Sequence, residues 1–367
     1  MQKHRLLLFS LTVCLAIILT GCFQGEQSLD KNEMDPPQDA EAVDDLESES
    51  GEEASATEDE ESQEEVMEGD KGETSETIDR QLYLLDANGM VASQTLQLPQ
   101  PASNEVAKQS LEYLVKDGPV TSLLPNGFQA ILPAGTEILG LDLDNSGTMV
   151  VDVSEEFENY QAEDELNILQ AMTYTVTQFD SVDEMKLRID GTPQESMPVD
   201  GTPIGEGYSR VNGINLVHSN TVDLLNSEPV TLYYPSVQGD NDYFVPVTQH
   251  VNVEDSLYES TVQTLMEGPG FDTNLQHVFN SSAELANGPR LNKGVLEVVF
   301  NQEVLEDSDE AIISNDVMET LVRTLTQDED VEAVEVKVED VETLFNENGE
   351  PYTEPVTVKS FVSTEKL

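Results

Sequence analysis

The chain has 367 residues, and 74 acidic residues against 16 lysines and arginines give it a formal net charge of −58. Nucleic-acid binding requires clustered lysine and arginine, so this charge excludes nucleic acid as a partner and also excludes electrostatic attraction to anionic lipid headgroups. The length is sufficient for two ordinary domains with buried cores.

The first residues have the composition of a secretory signal. A basic start precedes the apolar stretch from Leu6 to Leu19, which is too short to span a bilayer comfortably. The run Leu19-Thr20-Gly21-Cys22 then resembles the lipobox of bacterial lipoproteins. The resemblance implies a signal peptide over 1–21, cleavage before Cys22 and acylation of the Cys22 thiol.

Two acyl chains on Cys22 would hold the protein stably on a membrane, where one chain would not. The alternative is an uncleaved membrane anchor with an incidental cysteine. It leaves the topology unchanged, because the bulk of the chain still lies outside the cytoplasm. The chain has two cysteines, and Cys14 leaves with the signal. We therefore expect no structural disulfide and no thiol chemistry in the mature protein.

Residues 22–79 are predicted to form a lipidated cysteine followed by a disordered acidic linker. Between 23 and 79 there are 23 acidic residues against Lys31 and Lys71, with almost no aliphatic pattern. Such a segment cannot bury enough apolar surface to offset its conformational entropy. We interpret it as a solvated spacer that lifts the folded part off the membrane; a specific acidic recognition tail is the alternative.

The rest of the chain contains two copies of one unit. Similar residues recur at offsets of 147 to 150 positions: Leu82-Tyr83 with Leu232-Tyr233, Gly118-Pro119 with Gly268-Pro269, and Met185-Leu187-Ile189 with Val334-Val336-Val338. An offset that stays this constant over so long a stretch indicates tandem domains. We predict a first domain over 80–200, an interdomain linker over 201–228 and a second domain over 229–367.

The same order of elements is predicted in each copy. A short strand near Leu82 or Leu232 leads into a polar turn, and a helix follows near 103–117 or 255–267, where apolar residues recur at spacings of three and four. Gly118-Pro119 ends the first of these helices, because glycine accepts the left-handed cap and proline cannot continue the helix.

A hairpin is predicted next, from Ile138 to Val153 in the first copy, and a second helix and an alternating strand complete each copy. The apolar positions of the two second helices are Leu169, Met172, Val176 and Phe179, and Val317, Leu321 and Leu325. The predicted fold class is α+β: two small tandem domains, each with a mostly antiparallel sheet and two helices on one face.

Residues 174–191, around the second helix, closely resemble the signature of the GerMN domain family of sporulation and spore germination lipoproteins. The Gly118-Pro119 pair, the opening strand at Leu82 and the run Val151–Phe157 fit the family as well. The second copy is more diverged. The resemblance covers about 80–200 and 230–360, and it implies an exported lipoprotein of an endospore-forming bacterium that is needed to produce or germinate spores.

GerMN domains also look like the ring-building modules of envelope-spanning secretion machines, which are small αββαβ units that associate side by side. The resemblance therefore implies a structural part of an envelope complex between mother cell and forespore. The protein would be anchored to the cell membrane through Cys22 and would face the intermembrane space. Its implied partners are the lipid bilayer, other proteins of the complex, and further copies in a homo- or hetero-oligomeric ring. Exposed sheet edges and helix faces would form such contacts.

The residues themselves give no support to catalysis, and we predict no enzyme, no cofactor and no metal site. The sequence contains no HExxH motif, no nucleophile elbow and no phosphate loop. Residues 142–147 resemble the start of a calcium loop, but Val153 stands where a bidentate glutamate is required, so we predict a hairpin turn. The alternative function is a wall-associated factor or enzyme that acts on spore-cortex peptidoglycan during germination.

Overall fold

The computed structural model of the chain describes residues 77–101, 105–217, 226–253, 256–270 and 273–361. The predicted signal peptide, Cys22 and nearly all of the predicted acidic linker lie outside these ranges. Within them, no helix has the length and apolar character that a membrane span requires. Residues 71–367 are grouped into one compact unit, so both predicted copies belong to a single body.

The first copy contains seven strands and two α-helices in its described part. They are, in chain order, β1 (Thr77–Leu85), β2 (Val91–Pro99), α1 (Val106–Glu112), β3 (Ile138–Leu143), β4 (Thr148–Val153), α2 (Glu165–Val176), β5 (Glu184–Ile189), β6 (Thr192–Gln194) and β7 (Tyr208–Ser209). Strands β1 and β2 form a separate antiparallel hairpin. The main sheet has the order β3-β4-β5-β6, with β7 also paired to β5.

The second copy repeats this plan. Its elements are β8 (Ser227–Gln238), β9 (Asn241–Asn252), α3 (Leu257–Glu267), β10 (Leu285–Asn292), β11 (Val295–Phe300), α4 (Asn315–Leu325) and β12 (Ala333–Val338). Strands β8 and β9 form the separate hairpin, and the main sheet has the order β10-β11-β12. The tandem repeat and the α+β class predicted from the sequence are therefore confirmed.

Each main sheet is mixed, because the second helix of each copy is a crossover between parallel strands. Strand β4 pairs with β5 in parallel across α2, and β11 pairs with β12 in parallel across α4. A crossover helix returns the chain to the same end of the sheet, which forces the parallel pairing. The hairpins β3–β4 and β10–β11 are antiparallel, as expected.

The second helices form where apolar residues recur at helical spacing. Leu169, Met172 and Val176 of α2 are fully buried, and burial of each such side chain stabilises the fold by roughly 1.5–3 kcal/mol. Helix α2 packs against β1 and β5, and α4 packs in the same way against β8 and β12. Each second helix therefore joins its hairpin to its main sheet.

The first helix is shorter than the predicted 103–117. Helix α1 ends at Glu112, because the carbonyl of Leu114 accepts hydrogen bonds from the backbone N–H groups of Ile131 and Leu132 instead of continuing a helical ladder. Asp117 then adopts a positive φ of 58°. Tertiary pairing thus replaces the last helical turn that the apolar spacing indicated.

Strands β2 and β9 are absent from the sequence-based prediction, which places only one opening strand in each copy. Both turn signals are present in the chain: Gly89 and Gly239 have positive φ angles of 79° and 66° between the paired strands. An apolar residue also alternates with a polar one through Thr95–Leu98. The hairpins are long, with β8 and β9 paired from Ser227↔Asn252 to Gln238↔Asn241.

The segment predicted as an interdomain linker over 201–228 is partly built into the fold. Tyr208 and Ser209 pair with Met185 and Glu184 of β5, which extends the first sheet. Residues 218–225 lie outside the described part of the chain. The buried apolar residues of both copies form one continuous cluster, so the described parts of the two copies share a core.

Candidate functional site

The two copies meet where their hairpins lie side by side. Asp86, in the β1–β2 turn, is only 2% exposed. Its Oδ1 accepts hydrogen bonds from the backbone N–H groups of Asn88 and Met90, both at 2.8 Å, which shapes the turn. Its Oδ2 accepts a hydrogen bond from the Tyr243 hydroxyl of the second copy, also at 2.8 Å. One buried carboxylate therefore organises a turn in one copy and binds the other copy.

Tyr243 completes this contact with its ring. The ring packs edge-on against Phe128 of the first copy, with centroids 4.8 Å apart. Its hydroxyl also lies 3.2 Å from Ser236 Oγ. Burial raises the pKa of Tyr243 to about 12, so the hydroxyl stays protonated and remains a donor to Asp86 at any physiological pH.

Asn215 forms a second bridge between the hairpins. Its Nδ2 donates to the carbonyls of Val91 and Pro246, each at 2.7 Å, and its Oδ1 accepts from the N–H of Val91 at 2.9 Å. Val91 belongs to β2 and Pro246 to β9, so a single amide side chain holds both hairpins. Asn215 has a φ of 46°, in the left-handed region that asparagine tolerates better than most residues.

Ile214 and Thr248 continue this connection through the backbone. Thr248 N–H donates to the carbonyl of Ile214 at 2.8 Å, and the N–H of Ile214 donates to Thr248 Oγ1 at 3.0 Å. We call the hydrogen bonds of Asp86, Tyr243, Asn215 and Thr248 the interdomain contact. Because its polar groups are paired and largely buried, separating the copies would leave several of them unsatisfied.

Arg210 lies next to this region, at the end of β7. Its guanidinium stacks over the ring of Tyr174 at 4.5 Å from the centroid. Its Nε donates to Thr177 Oγ1 at 2.9 Å, and its Nη2 donates to the carbonyl of Tyr174 at 3.3 Å. The described residues include no ion pair to this arginine. Val211, which follows it, is 81% exposed at the tip of the turn.

Equivalent positions in the two copies make the same helix-to-hairpin contact. The N–H of Tyr83 donates to Thr175 Oγ1 at 3.3 Å, and the N–H of Tyr233 donates to Thr324 Oγ1 at 3.0 Å. The aromatic position that precedes this threonine differs. In place of Tyr174, the second copy has Arg323, which stacks over Phe244 at 5.1 Å. The repeat therefore extends to individual hydrogen bonds, while the surfaces around them have diverged.

Each main sheet has an outer edge strand at the same topological position. Strand β3 pairs with β4 through one register shift, whereas β10 pairs with β11 through two and contains Pro289. Leu139 and Leu143 on β3 are 46% and 40% exposed. The two equivalent edge strands therefore differ in how regularly they pair with their neighbours.

Three comparisons with known proteins agree on the relationship of this chain. A family model described as "Germane: Sporulation and spore germination" matches residues 81–195 and 231–343. The chain is 41% identical over 355 residues to the spore germination protein GerM of Bacillus subtilis, covering 95% of each chain. The chain belongs to the Germane family.

A solved structure of a relative supports the Germane fold. The tandem GerMN domains of the sporulation protein GerM from Bacillus subtilis align with a TM-score of 0.71 and 43% identity, over 77% of this chain and 98% of that one. The first GerMN domain of the same protein is 53% identical, covers 36% of this chain and 98% of that chain, and has a TM-score of 0.35. The GerMN resemblance predicted from residues 174–191 is confirmed, and the chain is a GerM-like sporulation and germination protein.

His250 and His277, the described histidines of this Germane chain, lie in different parts of the second copy. Cys22 and His218 lie outside the described residues. His250 Nδ1 lies 3.3 Å from Ser227 Oγ, and His277 Nε2 lies 2.8 Å from the carbonyl of Met266. Among the described residues there is no group of three or more histidine, cysteine, aspartate or glutamate side chains placed to hold a metal ion.

The calcium-loop-like segment at 142–147 forms the predicted hairpin turn. Asp144 Oδ1 accepts hydrogen bonds from the N–H of Ser146 at 2.7 Å, from Ser146 Oγ at 2.6 Å and from the N–H of Thr148 at 3.1 Å. These bonds, with the side chain of Ser146 first, hold the pKa of Asp144 below its ordinary value. The carboxylate is thus committed to the turn.

Sequence reasoning missed the residues of the interdomain contact. Asp86 stands three positions before Gly89, and an acidic side chain that opens a turn is a recognisable signal. Nothing in the sequence indicates that its second oxygen meets Tyr243, 157 positions away. Asn215 and Arg210 carry no local signal at all, because their partners come from different elements.

Proposed function

We propose that this Germane-family chain is a membrane-anchored structural component of an envelope complex between mother cell and forespore. Lipid on Cys22 holds it on the extracytoplasmic face of the cell membrane. The acidic segment 23–79 spaces the two GerMN domains from that membrane. The chain acts through contacts with protein partners, in a homo- or hetero-oligomeric assembly, and not as an enzyme.

The observation that carries this proposal is the union of the two copies into one body by the interdomain contact. If the two domains were joined only by a flexible linker, the distance and angle between their binding surfaces would not be fixed. Instead, the hydrogen bond that Asp86 accepts from Tyr243 and those that Asn215 donates to both hairpins hold the copies together. A part of an assembly needs binding surfaces in a fixed arrangement, and a tandem unit held in this way supplies that arrangement.

The names of the relatives support a role in both spore formation and germination. The curated relative is named a spore germination protein, and the aligned structure is described as part of a sporulation protein. The first test is therefore the yield of heat-resistant spores in a host that lacks the gene. We expect a large drop, because an assembly component acts while the spore is being built. A normal yield with defective germination would contradict the proposal and favour a factor that acts on spore-cortex peptidoglycan.

The anchoring part of the proposal has its own matched pair of variants. Cys22→Ala removes the predicted acylation site, whereas Cys14→Ala changes a cysteine within the predicted signal. We expect Cys22→Ala to abolish both acylation and cleavage of the signal peptide and to lower spore yield, and Cys14→Ala to change none of these, as read by the mass of the purified protein. A wild-type protein that keeps residues 1–21 and carries no acyl chains would indicate an uncleaved anchor.

A further inference from the structure

The outer edge of β3 is open and lacks most of the features that protect edge strands. Its six residues, Ile138–Leu143, pair with β4 on one side, and no described residue pairs with the other side. The strand contains no proline and no lysine, which are common blocks to unwanted strand pairing. One register shift, between Ile138 and Gly140, interrupts its pairing with β4.

Strand β10, at the equivalent position in the second copy, is much better protected. Two register shifts interrupt its pairing with β11, and it contains Gly288, Pro289 and Arg290. Proline removes a donor from the edge, and bulges twist the edge away from an incoming strand. The two copies share one fold, but the edge of β10 is blocked to a further strand, whereas the edge of β3 is available.

Apolar side chains add to the open edge of β3. Leu139 and Leu143 are 46% and 40% exposed. The register places Leu143 opposite Met149 and Leu141 opposite Val151, whose side chains belong to the core. Leu141 and Leu143 therefore lie on the core face of the sheet, at a rim that no further strand covers. An added strand would bury this rim as well as the free backbone groups.

The charge around β3 indicates what kind of strand fits. Glu137, Asp142 and Asp144 are exposed next to or on the strand, and none of them forms an ion pair in the described part of the chain. Residues 80–367 carry a net charge of −39, so a second copy would bring the same sign to the edge. Complementary charges favour association and like charges oppose it.

We propose that the outer edge of β3 is a docking site for an extended, basic and apolar strand of a different protein. The strand adds to the first sheet through backbone hydrogen bonds, with its apolar side chains on the rim at Leu141 and Leu143 and its lysines or arginines near Asp142. Strand addition of this kind takes affinity from the backbone and specificity from alternate side chains. This inference rests on the proposed assembly function and assigns the contact to the first copy.

The first experiment places a photo-crosslinking amino acid in the full chain, in sporulating cells, at one position at a time. Leu139 and Leu143 test β3, Leu291 on β10 is the matched edge position with 38% exposure, and Val211 is an exposed position on neither edge. We expect protein adducts at Leu139 and Leu143 whose linked peptide has net positive charge, and none at Leu291.

The other outcomes separate this inference from the proposed function. Adducts at Leu291 or Val211 without adducts on β3 would overturn the inference and leave the assembly role standing. Adducts between two copies of this chain, or to an acidic peptide, would overturn the choice of partner and with it the inference. No protein adduct at any of the four positions would count against both.

A second experiment uses the purified chain and defined peptides. The probe alternates valine with lysine; one control peptide alternates valine with glutamate, and another is the lysine peptide N-methylated at alternate residues. Pairing requires backbone donors and opposite charge, so we expect only the first peptide to bind. The double change Leu139→Lys and Leu143→Lys should weaken binding by about tenfold or more, while Leu291→Lys leaves it unchanged. Equal affinity for the N-methylated peptide, or equal loss with Leu291→Lys, would refute strand addition. Unchanged thermal unfolding of each variant checks that the exposed substitutions preserve the fold.

Discussion

Removal of the Asp86 carboxylate tests whether the two copies are held together by the interdomain contact. Asp86→Ala deprives the N–H groups of Asn88 and Met90 and the hydroxyl of Tyr243 of their acceptor. A buried donor left unpaired costs about 1–3 kcal/mol. Asn88 is exposed and Met90 half-buried, so water can replace part of their loss. We therefore expect the free energy of unfolding to fall by about 3 kcal/mol in total.

A double-mutant cycle isolates the part of this loss that lies between the copies. Tyr243→Phe removes a single hydroxyl, and we expect it to cost about 1–2 kcal/mol. Combined with Asp86→Ala, it should add almost nothing, which corresponds to a coupling energy of about 1–2 kcal/mol. Tyr258→Phe is the matched control, because the Tyr258 hydroxyl donates to Asp328 Oδ2 at 3.0 Å within the second copy. Its effect should add to that of Asp86→Ala without coupling.

The assay is urea unfolding followed by far-ultraviolet circular dichroism and by tyrosine fluorescence, since the chain contains 10 tyrosines and no tryptophan. A loss of about 3 kcal/mol moves the midpoint by about 1 M urea if the slope is near 3 kcal/mol per molar. Because the copies share a core that the substitution leaves in place, we expect a single transition in both the wild type and the Asp86→Ala protein. A loss below about 1 kcal/mol, or a coupling energy of zero, would refute the reasoning.

Three further predictions follow from the same region and from the first copy. Asn215→Ala removes three hydrogen bonds, and we expect it to lower the free energy of unfolding by about 2–3 kcal/mol in the same urea assay. A decrease as small as that caused by substituting an exposed turn residue would contradict a bridging role for Asn215. Arg210→Met keeps the aliphatic stem but loses the stacked cation, and we expect the free energy of unfolding to fall by about 1–2 kcal/mol. Arg210→Lys should restore little of this stability, because an ammonium does not stack on an aromatic ring as a guanidinium does. Full restoration by lysine would show that the positive charge alone is responsible. The third prediction concerns the pH dependence of stability through Glu165. Burial alone would raise the pKa of its carboxyl, but hydrogen bonds from the N–H groups of Asp200 and Thr202 outweigh this effect. The pKa of Glu165 therefore lies below its ordinary value of 4.5. As the pH falls through that range the unfolded chain binds more protons, so the free energy of unfolding should decrease there, and Glu165→Gln should flatten this part of the pH profile. An unchanged slope in the Gln variant would assign the acid sensitivity to other carboxyls.

The elements that the sequence predicted well are those in which apolar residues recur at a regular spacing. The strand at Met185–Ile189 alternates strictly, and the helix that contains Leu169 and Met172 repeats at three and four, so local pattern alone defined both. Helix α1 illustrates the limit of this reasoning. Leu114 and Val115 continue the helical spacing, but the carbonyl of Leu114 accepts backbone hydrogen bonds from Ile131 and Leu132, and the helix ends before them.

The hairpin strands β2 and β9 were missed for a related reason. Strand β9 contains Pro246, which argues against a strand when only the sequence is considered. Its carbonyl accepts a hydrogen bond from Asn215 in the structure, and the position is tolerated because a two-stranded hairpin has an unpaired side. The reading of 201–228 as a linker likewise had no local signal against it, since the pairing of Tyr208 with Met185 joins residues far apart in the chain.

The sequence by itself determined the tandem repeat, the α+β class, the family and the acidic character of the chain. Those properties depend on residue periodicity, spacing and charge, which are readable along the chain without knowledge of contacts. Only the tertiary structure decided that the copies form one body through Asp86, Tyr243 and Asn215, and that β3 has an open edge while β10 is blocked. These features depend on hydrogen bonds and strand pairing between residues that are distant in sequence, and no local pattern encodes which partners meet.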